Sequence, residues 1–271
     1  VLKGFYSTFK AADADLQFVL LTGVTKFSQI TVFSGFNQPK DISMDERYET
    51  LCGITQEELE SYFAEPIAEM AKKFKQSIPE MKRLLKQRYD GYHFSPMLVD
   101  VYNPFSLLNV FDSKWMQDYW FRSGTPTYLL RLLNHAQEGL DEMTGRYYFR
   151  RDFVDYKATA EKPLPMIYQS GYLTIKDYNW EDETFLLDFP NDEVKAGFLI
   201  AIASDYLKSS EDAGSLALQL SKTLKAGDLE SFQKLLTAFL ASIPYSMRRK
   251  NDEREWERYF HYTFYLILRL M

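Results

Sequence analysis

Residues 18–21 form an unbroken apolar run, Phe-Val-Leu-Leu, within the segment 16–23. A strand of this kind is apolar on both faces, which is typical of the middle of a parallel sheet. Such a strand needs a neighbour on each edge because its backbone groups must be paired. No second strand of this type follows in the sequence. The pattern therefore predicts a buried strand at residues 16–22 whose neighbours this sequence does not encode.

Apolar residues between positions 252 and 271 repeat at the spacing of one helix face. They are Trp256, Phe260, Phe264, Ile267 and Met271. No Gly, Asn or Pro follows them as a helix stop signal. The pattern predicts an amphipathic helix that needs a partner surface. Both ends together indicate a piece of a longer protein.

A succession of helices is predicted from residue 55 onward. Thr55 and Glu58 have the spacing of a capping box, and a single apolar stripe follows over residues 59–74. Two further helices come next, a basic one over residues 82–88 and one that Asn103 caps ahead of a proline. This part of the chain is therefore predicted to be helical.

A β-hairpin is predicted near the middle of the chain. Residues 172–178 and 184–189 alternate between apolar and polar positions, and a polar turn links them. A helix end precedes the hairpin, and Asn191 caps a helix after it. This order is the outline of a winged-helix unit. Two more helices are predicted over residues 214–243, so we predict a mainly α fold with minor β structure.

Composition narrows the class of protein. The 271 residues are 46% hydrophobic and 16% aromatic, which favours a substantial core or an interface. The net charge of -6 argues against a clamp that surrounds nucleic acid, although a local basic patch stays open. Cys52 stands alone, which excludes an intrachain disulfide and is typical of a cytoplasmic protein. No apolar run reaches the roughly 18 residues of a membrane span.

The common catalytic and cofactor motifs are absent from the sequence. There is no G-x-x-x-x-G-K-[ST], no G-x-G-x-x-G, no H-E-x-x-H, no C-x-x-C and no G-x-S-x-G. Without a phosphate-binding loop, this chain alone is not expected to hold a nucleotide triphosphate tightly. The sequence therefore predicts no catalytic residue, no metal ligand and no cofactor in this chain.

Two pairs of residues are candidates for a site. Thr22 and Lys26 lie just past the carboxyl end of the predicted strand, where open α/β sheets bind ligands. A hydroxyl and an ammonium there can sense a terminal phosphate, or they are a helix cap and a solvated lysine. Asp90 and His93 are either an acid–base pair or parts of a structural turn in which Gly91 has positive φ.

Basic residues are the candidates for contacting nucleic acid. They are the cluster Arg248, Arg249 and Lys250, together with the basic helix at residues 82–88. Each group is short, and neither alternates with an aromatic stacking platform. A solvated face is the alternative interpretation.

Nine separated stretches of the sequence carry a family resemblance. They are residues 5–10 (FYSTFK), 21–28 (LTGVTKFS), 41–43 (DIS), 51–55 (LCGIT), 89–94 (YDGYHF), 101–106 (VYNPFS), 124–126 (GTP), 169–175 (QSGYLTI) and 189–191 (FPN). In order and spacing they resemble the bacterial AAA-ATPase-like proteins, which usually carry a C-terminal PD-(D/E)XK nuclease-like domain. The resemblance covers most of residues 1–205. Residues 257–264 are similar to the first helix of that nuclease-like domain.

The resemblance implies a division of the chain into five parts. They are the end of an ATPase-like core with its sensor strand (1–36), a helical lid (37–140), a winged-helix-like unit with a β-hairpin (141–210), a helical linker (211–250) and the first helix of the nuclease-like domain (251–271). The P-loop lysine, the Mg²⁺-binding acid and the nuclease residues of the family would all lie outside this chain. ATP and Mg²⁺ are therefore expected for the parent protein only.

The function implied is regulatory. This region would close over bound ATP and transmit the nucleotide state to the nuclease-like domain, and it would not be catalytic by itself. Its expected partners are the missing N-terminal ATPase core and the nuclease-like domain, with no membrane. Two alternatives stay open: a winged-helix module that binds nucleic acid, and a scaffold that binds another chain or a second copy of itself.

Overall fold

The structure is a computed structural model that describes residues 8, 11–23, 40–123, 143–154, 163–207, 213–242, 261, 264–265 and 267–269. It is mainly helical with one small antiparallel sheet, as the sequence predicts. None of the described helices has the length and hydrophobicity that crossing a bilayer demands.

The first group of helices forms what we call the helical unit. Its members are α1 (Gln56–Tyr62), α2 (Ala64–Phe74), α3 (Ile78–Tyr89), α4 (Pro104–Ser113) and α5 (Tyr119–Ser123). The predicted capping box is present, because Thr55 accepts from the Glu58 backbone and Glu58 accepts from the Thr55 backbone. Asn103 caps α4 through the backbone amides of Phe105 and Ser106. Local sequence signals therefore define these helices.

The second group of elements forms what we call the sheet unit. It contains β1 (Arg146–Phe149), α6 (Arg150–Val154), α7 (Leu164–Gln169), β2 (Thr174–Asn179), β3 (Thr184–Asp188) and α8 (Asp192–Leu207). The strand order is β1-β3-β2, and both pairings are antiparallel. β2 and β3 are the predicted hairpin, with an irregularity in their register at Lys176. β1 was not predicted.

Two helices follow the sheet unit, α9 (Ala213–Lys225) and α10 (Leu229–Ser242), and Gly227 separates them with φ +72°.

Two hydrophobic cores lie within the described residues. The smaller one belongs to the helical unit and includes Leu59, Ile67, Met70, Met81, Leu85 and Leu107. The larger one joins the sheet to α6–α10 and includes Phe153, Ile167, Ile175, Leu187, Phe198 and Leu220. Ile267 from the predicted C-terminal helix also packs in the larger core.

The predicted strand at residues 16–22 is wrong for this chain. Residues 16–23 form neither helix nor strand, and they do not belong to the three-stranded sheet. Leu16, Phe18, Leu20 and Leu21 are exposed, Phe18 to 79%. A buried strand needs paired edges and an apolar cover, and the described part of the chain supplies neither to this segment.

Candidate functional site

The turn at residues 89–94, which we call the Asp-Gly turn, lies where the two units meet. It follows α3, and its residue Gly91 has φ +92°, the left-handed region that favours glycine. A Cβ on residue 91 would lie 2.5 Å from the carbonyl oxygen of Pro190 and 3.0 Å from Nζ of Lys176. Both the backbone conformation and the close approach therefore require a glycine here.

Lys176 links the Asp-Gly turn to the sheet unit by hydrogen bonds. Its Nζ donates to the carbonyl oxygens of Gly91 and Pro190, each at 2.8 Å. Burial lowers the pKa of Lys176, while the carboxylates of Asp100 and Asp188 act in the opposite direction. The ammonium group thus replaces water as the donor for two carbonyl groups at the junction.

His93 contacts β2 through both its backbone and its ring. The His93 backbone N–H donates to Oγ1 of Thr174 at 2.9 Å, and that hydroxyl donates to the His93 carbonyl at 3.0 Å. In the ring, Nδ1 lies 2.6 Å from the carbonyl oxygen of Ile175, and Nε2 lies 2.7 Å from Oδ1 of Asp100. These contacts hold the turn against the strand.

Asp90 is buried, with its side chain only 2% exposed, and it does not pair with His93. Its Oδ2 accepts from Nζ of Lys86 at 2.7 Å, and the same ammonium donates to Oδ2 of Asp100 at 2.8 Å. Burial raises the pKa of Asp90 despite the hydrogen bond from Lys86. Asp90 and His93 are therefore linked through Lys86 and Asp100 rather than by a direct bond.

Two helix caps are also tied to the Asp-Gly turn. Asn191 donates from Nδ2 to the carbonyl oxygen of Asp90 at 3.0 Å, while its Oδ1 accepts from the backbone of Val194 at 3.1 Å. The backbone N–H of Asn103 donates to the carbonyl of Tyr89 at 3.0 Å. Asn103 thus lies beside the turn that contains Asp90 and His93. The same asparagines start α4 and α8 and fix the position of the turn.

Glu193 is a second buried acid near the junction. It has no exposed surface, and its two oxygens accept from Oγ of Ser106 at 2.7 Å and from the backbone N–H of Trp120 at 2.8 Å. Burial raises the pKa of Glu193. The residue therefore joins α8 to α4 and α5.

Sequence patterns missed Lys86, Asp100, Lys176 and Glu193 as members of this cluster. Of these four, Lys176 had a recognisable position in the sequence. It is a charged residue next to the apolar Ile175 in a strand predicted from its alternation. Glu193 could not be assigned to the cluster from a local pattern, because its partners Ser106 and Trp120 lie far away in the sequence. Asp90, Gly91, His93, Asn103 and Asn191 were found, through the turn and cap motifs.

The sequence also indicated Thr22, Lys26, the cluster at residues 248–250 and the basic helix α3 as candidates. Thr22 is exposed, and Lys26 lies outside the described residues, as do Arg248, Arg249 and Lys250. On the basic helix α3, each cation pairs with an acid: Lys82 with Glu60, Arg83 with Glu80, Lys86 with Asp90 and Asp100, and Arg88 with Asp118. This helix therefore offers little unbalanced positive charge to a phosphate backbone.

Metal ligation and similarity to known proteins add little to this picture. Within the described ranges, no group of three or more His, Cys, Asp or Glu residues is arranged to hold a metal ion. No protein-family model and no solved structure matches the chain.

One relative matches nearly all of this chain. It is a protein of Azotobacter chroococcum mcd 1 described as "Uncharacterized protein in vnfD 5'region", which is 34% identical over 273 residues. The match covers 97% of this chain and 49% of that protein. The chain thus spans about half the length of the relative.

Proposed function

We propose that this chain is the regulatory portion of an ATPase-like protein, in which a helical lid and a winged-helix-like unit move as one body. The proposal depends on one observation: four of the nine stretches that resemble the ATPase-like family lie together at one junction. Residues 89–94, 101–106, 169–175 and 189–191 all contribute to it, through hydrogen bonds that span up to 101 residues of sequence. Stretches that resemble an ATPase-like family thus build the contact between the two units.

The order of elements in the sheet unit supports the winged-helix-like part of the proposal. β1 is followed by two helices and then by the β2–β3 hairpin, and β3 lies between the other strands. In this arrangement the hairpin is the wing, with Trp180 68% exposed at its tip. The helix before the hairpin, α7, packs Leu164 and Ile167 into the core.

The exposed apolar segment at residues 16–21 supports the place of the chain within a larger protein. Exposed apolar side chains in such a run are unfavourable in water. The relative of about twice the length supports a further region that can cover them. We assign that role to an ATPase-like core, which would hold ATP and Mg²⁺.

The regulatory mechanism is a shift of population between open and closed forms. ATP bound to the core favours the closed form, because the closed form contacts the nucleotide and the open form does not. The lid moves with the sheet unit, since the Asp-Gly turn is hydrogen-bonded to both. That movement passes the nucleotide state to the nuclease-like domain, and this chain contributes no catalytic residue.

Hydrogen exchange on the full-length Azotobacter relative tests this proposal. We expect Mg²⁺-ATP to slow amide exchange in the region matched to residues 16–22 and around the matched Asp-Gly turn. The isolated chain 1–271 is the control, and we expect it neither to bind nor to hydrolyse ATP. The proposal fails if the full-length relative binds no ATP, or if the isolated chain hydrolyses ATP and Lys26→Ala abolishes that activity.

Charge on the wing tip and on α7 argues against the nucleic-acid alternative. The wing tip carries Glu181, Asp182 and Glu183, and the helix α7 (LPMIYQ) contains no lysine or arginine. Both surfaces would face phosphates if a winged helix bound DNA, and acids there oppose binding. We therefore expect neither of these two surfaces to bind duplex DNA at physiological salt.

A further inference from the structure

Two tryptophans in the described part of the chain have exposed indole rings. Trp180 at the tip of the β2–β3 hairpin is 68% exposed, and Trp115, just past the end of α4, is 55% exposed. Tryptophan is usually well buried in a folded protein, and it is enriched among the central contacts of protein interfaces. The two exposed rings therefore mark two surfaces that a partner can cover.

The wing tip is an acidic surface next to Trp180. Glu181, Asp182 and Glu183 follow this residue and are exposed. Asn179 fixes the turn, because its Oδ1 accepts from the backbone N–H of Glu181 at 2.8 Å and its Nδ2 donates to Oδ2 of Asp182 at 2.9 Å. Among the described residues, no cation forms an ion pair with any of the three acids. The wing tip therefore presents negative charge beside an apolar ring.

Trp115 lies beside a basic surface, which we call the lysine patch. It consists of Lys72, Lys73 and Lys75 at the end of α2, all of them exposed. Nζ of Lys73 lies 4.1 Å from the centre of the Trp115 ring and donates to the carbonyl oxygen of Lys114 at 2.6 Å. In the described ranges, none of the three lysines of the patch pairs with an acid.

The wing tip and the lysine patch complement each other. Each has one exposed indole ring and three charges that no described residue neutralises, negative on the wing tip and positive on the lysine patch. Lys114 also borders Trp115, but Glu69 already pairs with it. The two surfaces form no ion pair with each other within one chain. Complementary charges of this kind select the partner and its orientation when two proteins bind.

We propose that the wing tip of one copy of this chain binds the lysine patch of a second copy. Trp180 lies against Trp115 and the lysine side chains, and the three carboxylates face the three ammonium groups. Since the two surfaces differ, each copy keeps one of them free, so the contact is head-to-tail and either closes as a ring or extends. This inference goes beyond the ATPase-like assignment and does not depend on it.

The two kinds of contact have different roles in this interface. Exposed ion pairs contribute little free energy, and salt weakens them further. The indole rings supply most of the affinity, because buried tryptophans are among the strongest single contributors at interfaces. The charges fix which surfaces meet, since two wing tips or two lysine patches repel each other.

A second copy accounts for both surfaces, whereas nucleic acid accounts for one. The lysine patch by itself could contact phosphates, but the acids beside Trp180 would repel them. A single contact between two copies covers both indole rings and pairs both sets of charges. The observations therefore favour the second copy as the partner.

Sedimentation equilibrium of the unmodified chain tests this contact. At about 50 mM salt we expect the average mass to exceed that of one chain and to rise with protein concentration, and at about 500 mM salt we expect it to fall toward one chain. Trp180→Ala should weaken the association about tenfold. Treatment with nuclease should change nothing. An association that nuclease abolishes would show that the lysine patch binds nucleic acid, and a single-chain mass at every concentration would refute the contact.

Reversing the charges of each surface separates this contact from other modes of association. One double variant carries Lys72→Glu and Lys75→Glu, and the other carries Glu181→Lys and Glu183→Lys. Each alone should sediment as a single chain, because its wing tip and its lysine patch then have the same charge. An equimolar mixture should associate again, because each wing tip meets a patch of opposite charge on the other variant.

Lys222→Glu with Lys225→Glu is the matched control. It makes the same change of charge at exposed lysines in the last turn of α9, and it should leave the association unchanged. Urea unfolding should show that all three double variants fold. The contact is refuted if a folded wing-tip or lysine-patch variant still associates by itself, if the mixture of the two does not associate, or if the control also dissociates.

Discussion

At the scale of single residues, the junction depends on the size and charge of a few side chains. The positive φ of Gly91 follows from an Asp-Gly turn and could be predicted from the sequence. Its close approach to Pro190 could not, because that contact joins residues about a hundred positions apart. His93 was recognisable as a candidate while its partner Asp100 was not, although only seven positions separate them.

Replacing Gly91 by alanine should destabilise the chain more than the same change at Gly145. Both glycines have positive φ, but a Cβ at residue 145 meets no atom within 4 Å, whereas one at residue 91 meets Pro190. We expect Gly145→Ala to cost about 1–2 kcal/mol for the left-handed backbone and Gly91→Ala about 2–4 kcal/mol. Urea unfolding measures both, and equal losses would show that the close approach is unimportant.

Glu193 should make stability depend on pH. Its pKa is raised by burial, so the folded state holds this proton more tightly than the unfolded state. A group of this kind stabilises the fold fully below its unfolded pKa, and that contribution is lost as pH rises through the folded pKa. The advantage of the wild type over Glu193→Gln in urea unfolding should therefore shrink as the pH rises above about 4.5, the ordinary pKa of a glutamate.

The exposed neighbour Asp192 provides the control for this prediction. Asp192→Asn removes a carboxylate from the same helix turn without touching Ser106 or Trp120. Its difference from the wild type should change little over that pH range. A pH-independent difference for Glu193→Gln would contradict the effect of burial.

At the scale of elements, local signals predicted most of the helices and the hairpin. Thr55, Asn103 and Gly227 mark helix ends through contacts within a few residues, which a sequence can reveal. β1 was missed because it is only four residues long and its pairing with β3 is distant in sequence. The strand at residues 16–22 was predicted from an unbroken apolar run, with neighbours that this sequence does not encode, and the segment forms no strand in the described part of the chain.

The packing of α8 against α5 should depend on Gly197. A Cβ there would lie 2.5 Å from the ring of Phe121. Gly-to-Ala in a helix ordinarily stabilises by about 0.5–1 kcal/mol, but here the overlap should destabilise by about 1–3 kcal/mol. The loss should be smaller when Phe121→Leu is already present, and unfolding of the two single variants and the double variant measures this coupling.

At the scale of the whole molecule, the segment 89–103 joins the two cores. Tyr89 and Tyr102 pack in the smaller core, while Tyr92 and Val101 pack in the larger one. The class of fold could be predicted, because helical periodicity dominates the sequence. The sharing of one segment between two cores could not, because it arises from contacts between distant residues such as Gly91 with Pro190 and His93 with Thr174.

The most direct test of this account is hydrogen exchange on Lys176→Met, which leaves the carbonyls of Gly91 and Pro190 without their donor. If the Asp-Gly turn makes the two units one cooperative body, α3 and the β2–β3 hairpin should lose protection together and by the same factor. The exposed Lys225→Met is the control and should change neither region. Loss of protection in the hairpin alone, with α3 unchanged, would contradict the account.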